Sequence, residues 1–268
     1  MSIVEGPLTS LAFCWIVERH DGAGLALTSH DQTIERDGVR YAAAPGMMPA
    51  AIVRRAGMEA GSSEVSGAVT STALSAGDLA AGRWDGAGYA LSAVDWTGAS
   101  SEVMALASGQ VGEVGIDGEH FAADLHGAAA RLDSPACPVT SPTCRAALGD
   151  AQCRVDLAGR LLRGRVVASN GDGLTLDVAV DARFLFGRLR FLSGTNAGLA
   201  TVIAASSGTG VRMREMAAGA VAVGDRVELR EGCDKLFTTC ASRFVNALNF
   251  RGEPHVPGND LLTRYPGA

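Results

Sequence analysis

The chain has 268 residues, 47% of them hydrophobic, 19% charged and 5% aromatic, with 34 glycines and a net charge of −6. That is enough apolar material for one large or two modest cores, and it excludes a disordered chain. No Lys/Arg-rich stripe is present to displace counterions from phosphates, so specific nucleic-acid binding is not expected, although an acidic surface suits one that DNA slides past.

Met1 to Pro7 carries no basic segment followed by an apolar core, so no secretory leader is expected. No run of about eighteen apolar residues occurs, which predicts no membrane span. Synthesis in the cytoplasm follows as the expectation. Six cysteines there read as reduced thiols, metal ligands or catalytic groups before disulfides.

The elements begin with two strands over residues 3–30. They are the apolar run Leu11 to Val17 and Leu25 to Thr28, parted by the turn Asp21-Gly22-Ala23-Gly24. Ile34 to Tyr41 places Asp37-Gly38 between alternating residues, the strongest short-range hairpin signal. Asp85-Gly86 and Asp117-Gly118 repeat that punctuation. Ser75 to Gly82 reads as one short helix. Three prolines between Asp133 and Pro142 place a domain boundary near residue 130, giving domains 1–130 and 131–268.

The second domain opens with a predicted helix over 142–148, capped by Ser141 and closed by Gly149. Short strands follow at 160–168, 175–180, 184–192, 199–205, 210–216 and 225–230, the spacing of a small antiparallel barrel or sandwich. A last helix is predicted over 240–248, capped by Thr239. The fold class is therefore mainly β with a few short helices.

Cys144 and Cys153 are separated by eight residues and Cys233 and Cys240 by six, with the whole predicted barrel between the pairs. Each pair flanks an expected helix start, where free N–H groups would lower a thiol pKa and favour the metal-binding thiolate. Arg145, Arg154, Lys235 and Arg243 would offset the charge of four thiolates. That holds for zinc and for iron–sulfur alike. Gaps of eight and six match neither the close pairs of structural zinc nor the common ferredoxin spacings. Four-thiolate metal binding and inert buried cysteines both remain open from chemistry alone. Cys14 reads as a core residue and Cys137 as a loop thiol.

A resemblance enters at these residues. The stretches are Cys144-Arg145-x-x-Leu148-Gly149-Asp150-x-x-Cys153, then Phe184-x-x-Gly187-x-Leu189-x-Phe191-x-x-Gly194-x-Asn196-x-Gly198. After them come Gly224-Asp225-x-Val227-x-Leu229-x-x-Gly232-Cys233-Asp234-Lys235, then Thr239-Cys240-x-x-Arg243-Phe244-x-Asn246 and Asn249-Phe250-Arg251-Gly252-x-Pro254. Together they resemble the C-terminal part of the tail-tip or baseplate hub proteins of long-tailed phages, prophages and gene transfer agents. The pairing of the cysteines is similar to that of the lambda-type tail tip protein, whose C-terminal domain holds a [4Fe-4S] cluster. Residues 140–255 carry the resemblance densely. Asp78-Leu79-x-Ala81-Gly82-x-Trp84-Asp85-Gly86-Ala87 with Val94-Asp95-Trp96 resembles the gene-transfer-agent-type members.

The resemblance implies two β-barrel or sandwich-like domains of the phage tail hub type. It implies a homotrimer capping the tail tube, with two tube-like domains per chain so that three chains mimic a sixfold ring through which DNA can pass. One face would meet the distal tail protein and the other the central, fibre-like tip protein. The location is a virion or virion-like tail tip, assembled in the bacterial cytoplasm. Cys144, Cys153, Cys233 and Cys240 match the ligands of the iron–sulfur cluster one by one. A cluster tying both ends of the second domain across a long loop would act as a structural staple.

Other candidates read blandly. His120 and His126, with Asp117, Glu119 and Asp124, suit a solvated loop. His20 and His30 look exposed, and His255 suits packing or an interface. Ser134, Ser141 and Ser193 lack a hydrolase elbow. Gly194 to Gly198 lacks the lysine of a phosphate loop and reads as a tight hairpin. Asp177 and Asp181 sit at strand ends, and Trp15, Trp84 and Trp96 suit a core or an interface. The expected function is a structural hub with no catalytic activity. The rival is a cytoplasmic iron–sulfur or zinc enzyme acting on a small substrate, which should leave an open metal position beside acid–base groups.

Overall fold

The computed structural model describes residues 10–44, 48–49, 62–68, 75–97, 103–117, 120–127, 130 and 137–256. The chain divides into two compact units, Met1–Ala136 and Cys137–Ala268. Among the described residues no helix is long and apolar enough to cross a membrane. The predicted turn at Asp117-Gly118 reaches Gly118 and Glu119, and these, with Ser134, lie outside the described residues.

The described residues of the first unit form a nine-stranded sheet in the order β3-β4-β2-β1-β7-β8-β9-β6-β5. Its strands are β1 (Leu11–Glu18), β2 (Gly24–Thr28), β3 (Ile34–Arg36), β4 (Val39–Ala43), β5 (Met48–Pro49), β6 (Ser62–Ala68), β7 (Gly88–Asp95), β8 (Val103–Asp117) and β9 (His120–Gly127). Neighbours run antiparallel except β2 and β4, which are parallel. Alternation along β1 sorts its residues to two faces. Trp15 and Val17 enter the main core with Leu27, Tyr89, Leu91, Phe121 and Leu125. Ala12 and Cys14 enter a smaller cluster with Val94. The turn between β3 and β4 has Asp37 and Gly38 at φ 50° and 78°, the two positive values that a tight hairpin of this hand demands.

Helix α1 (Ala76–Ala80) is capped by Ser75, whose hydroxyl accepts the Asp78 N–H at 3.0 Å. Its Leu79 is buried in the main core. Residues 120–127, expected as loop, form β9 instead. Alternation there buries Phe121, Ala123 and Leu125 while Asp124 and His126 face outward.

The second unit contains a closed six-stranded barrel, ordered β10-β11-β14-β13-β12-β15. These are β10 (Leu161–Asn170), β11 (Gly173–Leu176), β12 (Arg188–Phe191), β13 (Ala200–Ser207), β14 (Gly210–Met213) and β15 (Arg226–Arg230). Inward residues alternate with outward arginines: Leu189 and Phe191 are buried between exposed Arg188 and Arg190, and Val211 and Met213 around exposed Arg212. Burying each such side chain stabilises by roughly 1.5–3 kcal/mol. Bulges at Val166/Ala168 in β10 and Ile203/Ala205 in β13 let each strand pair with one neighbour by its first half and another by its second, which turns the sheet's corners. The Gly194 to Gly198 segment joins β12 to β13. Its fully buried Asn196 accepts the Gly219 N–H and donates to the Gly219 and Ala220 carbonyls.

Barrel closure has one consequence for the chemistry. β10 and β15, first and last in the barrel, are antiparallel neighbours with Leu161 opposite Arg230. The chain therefore enters and leaves the barrel side by side, and the flanks carrying Cys144/Cys153 and Cys233/Cys240 are brought together.

Candidate functional site

The two flanks meet through backbone pairing. Cys144 N–H donates to Lys235 O and Arg145 N–H to Arg251 O, both at 2.9 Å, and Glu253 N–H donates to Ser141 O at 2.8 Å. These bonds explain why the expected helix over 142–148 does not form. Its N–H groups are used across the flanks, Ser141 Oγ takes the Thr143 N–H in a local turn, and Ala147 N–H goes to Asp150 Oδ2. The helix expected over 240–248 is also displaced. Helix α2 spans Phe237–Ser242, so Cys240 sits near its end and not at its start.

None of the four thiols therefore stands at the start of a helix. Burial pushes the Cys233 and Cys240 thiols up, against a smaller lowering of Cys233 by the Lys235 N–H and ammonium. Charge repulsion reaches Cys240 from each of Cys144, Cys153 and Cys233, so the four sulfurs share one neighbourhood. Cys153 and Cys240 are buried, and Cys144 and Cys233 half-buried. Cys144, Cys153 and Cys233 pack among Ala146, Leu148, Val155, Leu157 and Phe244.

Polar groups hold the sulfurs in place. Arg251 N–H points at Cys144 Sγ at 3.4 Å, and Asn246 Nδ2 at Cys153 Sγ at 3.7 Å. Asn246 Nδ2 also donates to Cys153 O at 2.6 Å, and its backbone N–H to Cys240 O at 3.0 Å. The Cys240 thiol donates to Asn246 O at 3.4 Å. Asp150 accepts the Cys153 and Gln152 N–H groups on one oxygen, and these bonds hold its carboxyl below the usual range. Lys235 Nζ donates to Ala146 O.

The backbone around these residues is strained. Among the described residues, the non-glycine residues with positive φ are Asp37, Arg154, Phe186, Lys235 and Val245. Three of these five lie within five residues after one of the four cysteines. Val245, at φ 48° and 86% exposed, is β-branched and the least suited to that region. Among the described residues, however, no group of three or more Cys, His, Asp or Glu converges closely enough to hold a metal ion.

One feature at the barrel exit was not visible in the sequence. Glu231 is buried, with Arg160, Arg183 and Arg243 on its two oxygens at 2.9, 3.1 and 3.0 Å. Arg160 and Arg243 stack on the Phe244 ring at 5.0 and 4.8 Å. The next residue, Gly232, allows the exit to pass against Leu185 O, where a Cβ would clash at 1.7 Å.

The remaining candidates scatter. Cys14 is buried, with its thiol raised by burial, and Cys137 is exposed. Asp177 accepts the Arg165 N–H, Asp181 caps a short 3-10 turn over Ala182–Phe184, and Ser193 Oγ accepts the Arg226 N–H. His20 is exposed, whereas His30 is half-buried against Trp96 at 4.7 Å, so the stacking removes it from the exposed set. His255 lies edge-on to Phe237 at 6.4 Å. Trp15 and Trp84 belong to the first unit's core.

Comparison with known proteins adds family information. Residues 2–156, more than half of the chain and including Cys144 and Cys153, match the family model described as baseplate hub protein, N-terminal attachment domain. Residues 182–260, including Cys233 and Cys240, match the model described as phage conserved hypothetical protein BR0599. No curated protein matches. A chain in the solved structure titled virion of native gene transfer agent particle is similar at 34% identity and TM-score 0.85, over 98% of this chain and 94% of that one. The chain belongs to the baseplate hub protein family of phage-type tails.

Proposed function

We propose that this protein is a structural component of a virion or gene-transfer-agent particle, the hub at its tail tip, without catalytic activity. The observation that carries this reading is the similarity to a virion chain along almost the whole length of both. In the finer reading, three copies cap the tail tube and link the distal tail protein to the central tip protein. Exposed apolar side chains on the second unit support a role in assembly: Leu248 is 97% exposed and Val245 86%.

We further propose that Cys144, Cys153, Cys233 and Cys240 hold a [4Fe-4S] cluster. The donor chemistry fits, with four sulfurs in one partly apolar neighbourhood, N–H groups aimed at two of them, and strained turns beside three. A single zinc would need all four sulfurs about 3.8 Å apart, given bonds near 2.3 Å. A cluster places its ligands on separate irons and tolerates wider spacing. When bound, it supplies covalent-strength links between the flanks. The protein's part is to shield and orient the sulfurs. The barrel already closes the long loop between the cysteine pairs, so the link would order only the flanks, roughly 137–160 and 231–256.

The test is anaerobic purification with iron, sulfide and zinc analysis, followed by size measurement in solution. About four irons per chain and a trimer are expected. Metal-free protein that keeps its hydrogen-exchange protection over residues 144–157 would remove the cluster from the reading. A monomer at all concentrations, alone or mixed with the neighbouring tail proteins, would remove the hub role.

A further inference from the structure

A groove of about 420 Å³ opens on the outer wall of the barrel, beside the cysteine-bearing flanks and wholly within the second unit. Arg188, Arg214, Arg230 and Lys235 line it, with Glu215 and Glu231. Both oxygens of Glu231 are already engaged by Arg160, Arg183 and Arg243. Lys235 Nζ is turned towards Ala146 O, to which it donates. The guanidiniums of Arg188, Arg214 and Arg230 have no ion pair among the described residues, and Arg230 Nε is buried with no hydrogen-bond partner. Arg188 and Arg230 are moreover direct cross-strand partners between β12 and β15.

Like charges opposite one another destabilise a sheet, and a buried N–H without an acceptor costs free energy. Two costs at one place, in a chain with a net charge of −6, point to an absent anion. Guanidinium forks match carboxylates in plane and spacing. A groove of this volume admits a few side chains and not a nucleic-acid duplex. We propose that the groove is a docking site for an acidic segment of a partner protein, whose Asp or Glu carboxylates are clamped by Arg188, Arg214 and Arg230. The proposal rests on the assembly role only for the partner being a protein.

The probe is a short fluorescein-labelled peptide of alternating Glu and Gly, followed by anisotropy on the full chain. Binding should weaken as salt rises. Arg188→Gln and Arg214→Gln should each lower affinity roughly tenfold, while Arg212→Gln, outward on the same barrel but outside the groove, should leave it unchanged. Arg188→Gln should also raise the melting temperature of the free protein by relieving its repulsion with Arg230. A residue with only a structural role would lower it.

Equal weakening by Arg212→Gln, or a lowered melting temperature for Arg188→Gln, overturns the proposal. Displacement of the peptide by inorganic phosphate or a short DNA duplex at the same charge concentration assigns the groove to phosphates and overturns it too. Lack of peptide binding by protein that assembles normally defeats the groove alone. Failed assembly with peptide binding intact defeats the hub reading alone.

Discussion

Leu189, Ile203, Val227 and Leu229 of the barrel are fully buried in a core closed on all sides by strands. The cysteine-bearing flanks beside it contain one short α-helix, a 3-10 turn over Ala247–Asn249, a handful of buried apolar residues and three left-handed non-glycine residues. Hydrophobic burial suffices to specify the first region. The second is held by directional bonds: carboxylates on backbone N–H groups, an amide on a cysteine carbonyl, three arginines on one glutamate. Such a region is ordered only while its links are complete, which is where a metal cross-link would matter most.

That contrast can be broken at its strong end first. Leu229→Ala should destabilise the second unit by roughly 2–5 kcal/mol in denaturant titrations, because the closed barrel cannot collapse onto the cavity. Leu148→Ala in the flank cluster should cost visibly less. Equal costs would mean that the flanks possess a core of the same quality.

The next largest effect is expected at the seam. Glu231→Gln should cost roughly 2–3 kcal/mol, since three charge-assisted bonds weaken while their half-exposed arginines can still reach water. Hydrogen exchange should show the loss over α2 and residues 243–250, with β11 to β14 still protected. Loss spread evenly over the barrel would merge the two regions into one cooperative body.

Val245→Gly should act in the opposite direction. A left-handed backbone costs an ordinary residue about 1–2 kcal/mol, of which glycine's freedom in the unfolded chain returns about half. With 86% of the valine exposed, little packing is lost, so a gain of roughly 0.5–1 kcal/mol is expected by thermal melting. A net loss would show that the valine side chain packs more than its exposure implies.

The smallest effect is pH-dependent. Arg145 and the Ser141 N–H hold the Glu253 carboxyl down to about 2 from its usual 4.5. A depressed carboxyl stabilises above its unfolded pKa and loses that contribution as pH falls through its folded one. The Ser141–Glu253 tie should therefore be intact above pH 4.5 and released towards pH 2. Exchange of the Glu253 and Arg145 amides should follow this window, and Glu253→Gln should abolish the dependence.

The barrel was legible because alternation and turn residues are local. Strands near all six predicted positions formed, and Asp37-Gly38 made the turn its chemistry dictates. The first helix was legible through Gly82, which follows its end with φ 63°. The flanks were misread for the complementary reason. Ser141-Pro142 looks like a helix start until Lys235 and Arg251, about a hundred residues away, take the N–H groups that would build it. The Glu231 cluster and the arginine groove were missed because each gathers residues from strands and turns that only barrel closure makes neighbours. The four cysteines stand out in the sequence by spacing and resemblance, but the helix terminus expected beside them is replaced in the fold by burial.

The pairing of Leu161 with Arg230 makes the barrel an insert whose two ends lie one strand spacing apart, near 5 Å. The flanks meet the barrel at that pair of ends and at the turn carrying Arg183 and Leu185. Close termini bring the thiol-bearing flanks together, and Arg183 on Glu231 with Leu185 O against Gly232 then fits the barrel to them. The barrel's hairpin tip at Gly171, with nothing within 4 Å of a would-be side chain, is free to lengthen, whereas Gly208 O at the other tip accepts the Val180 N–H. Variation in such a protein should therefore collect at the Gly171 tip, while the seam from Arg230 to Gly232 stays fixed.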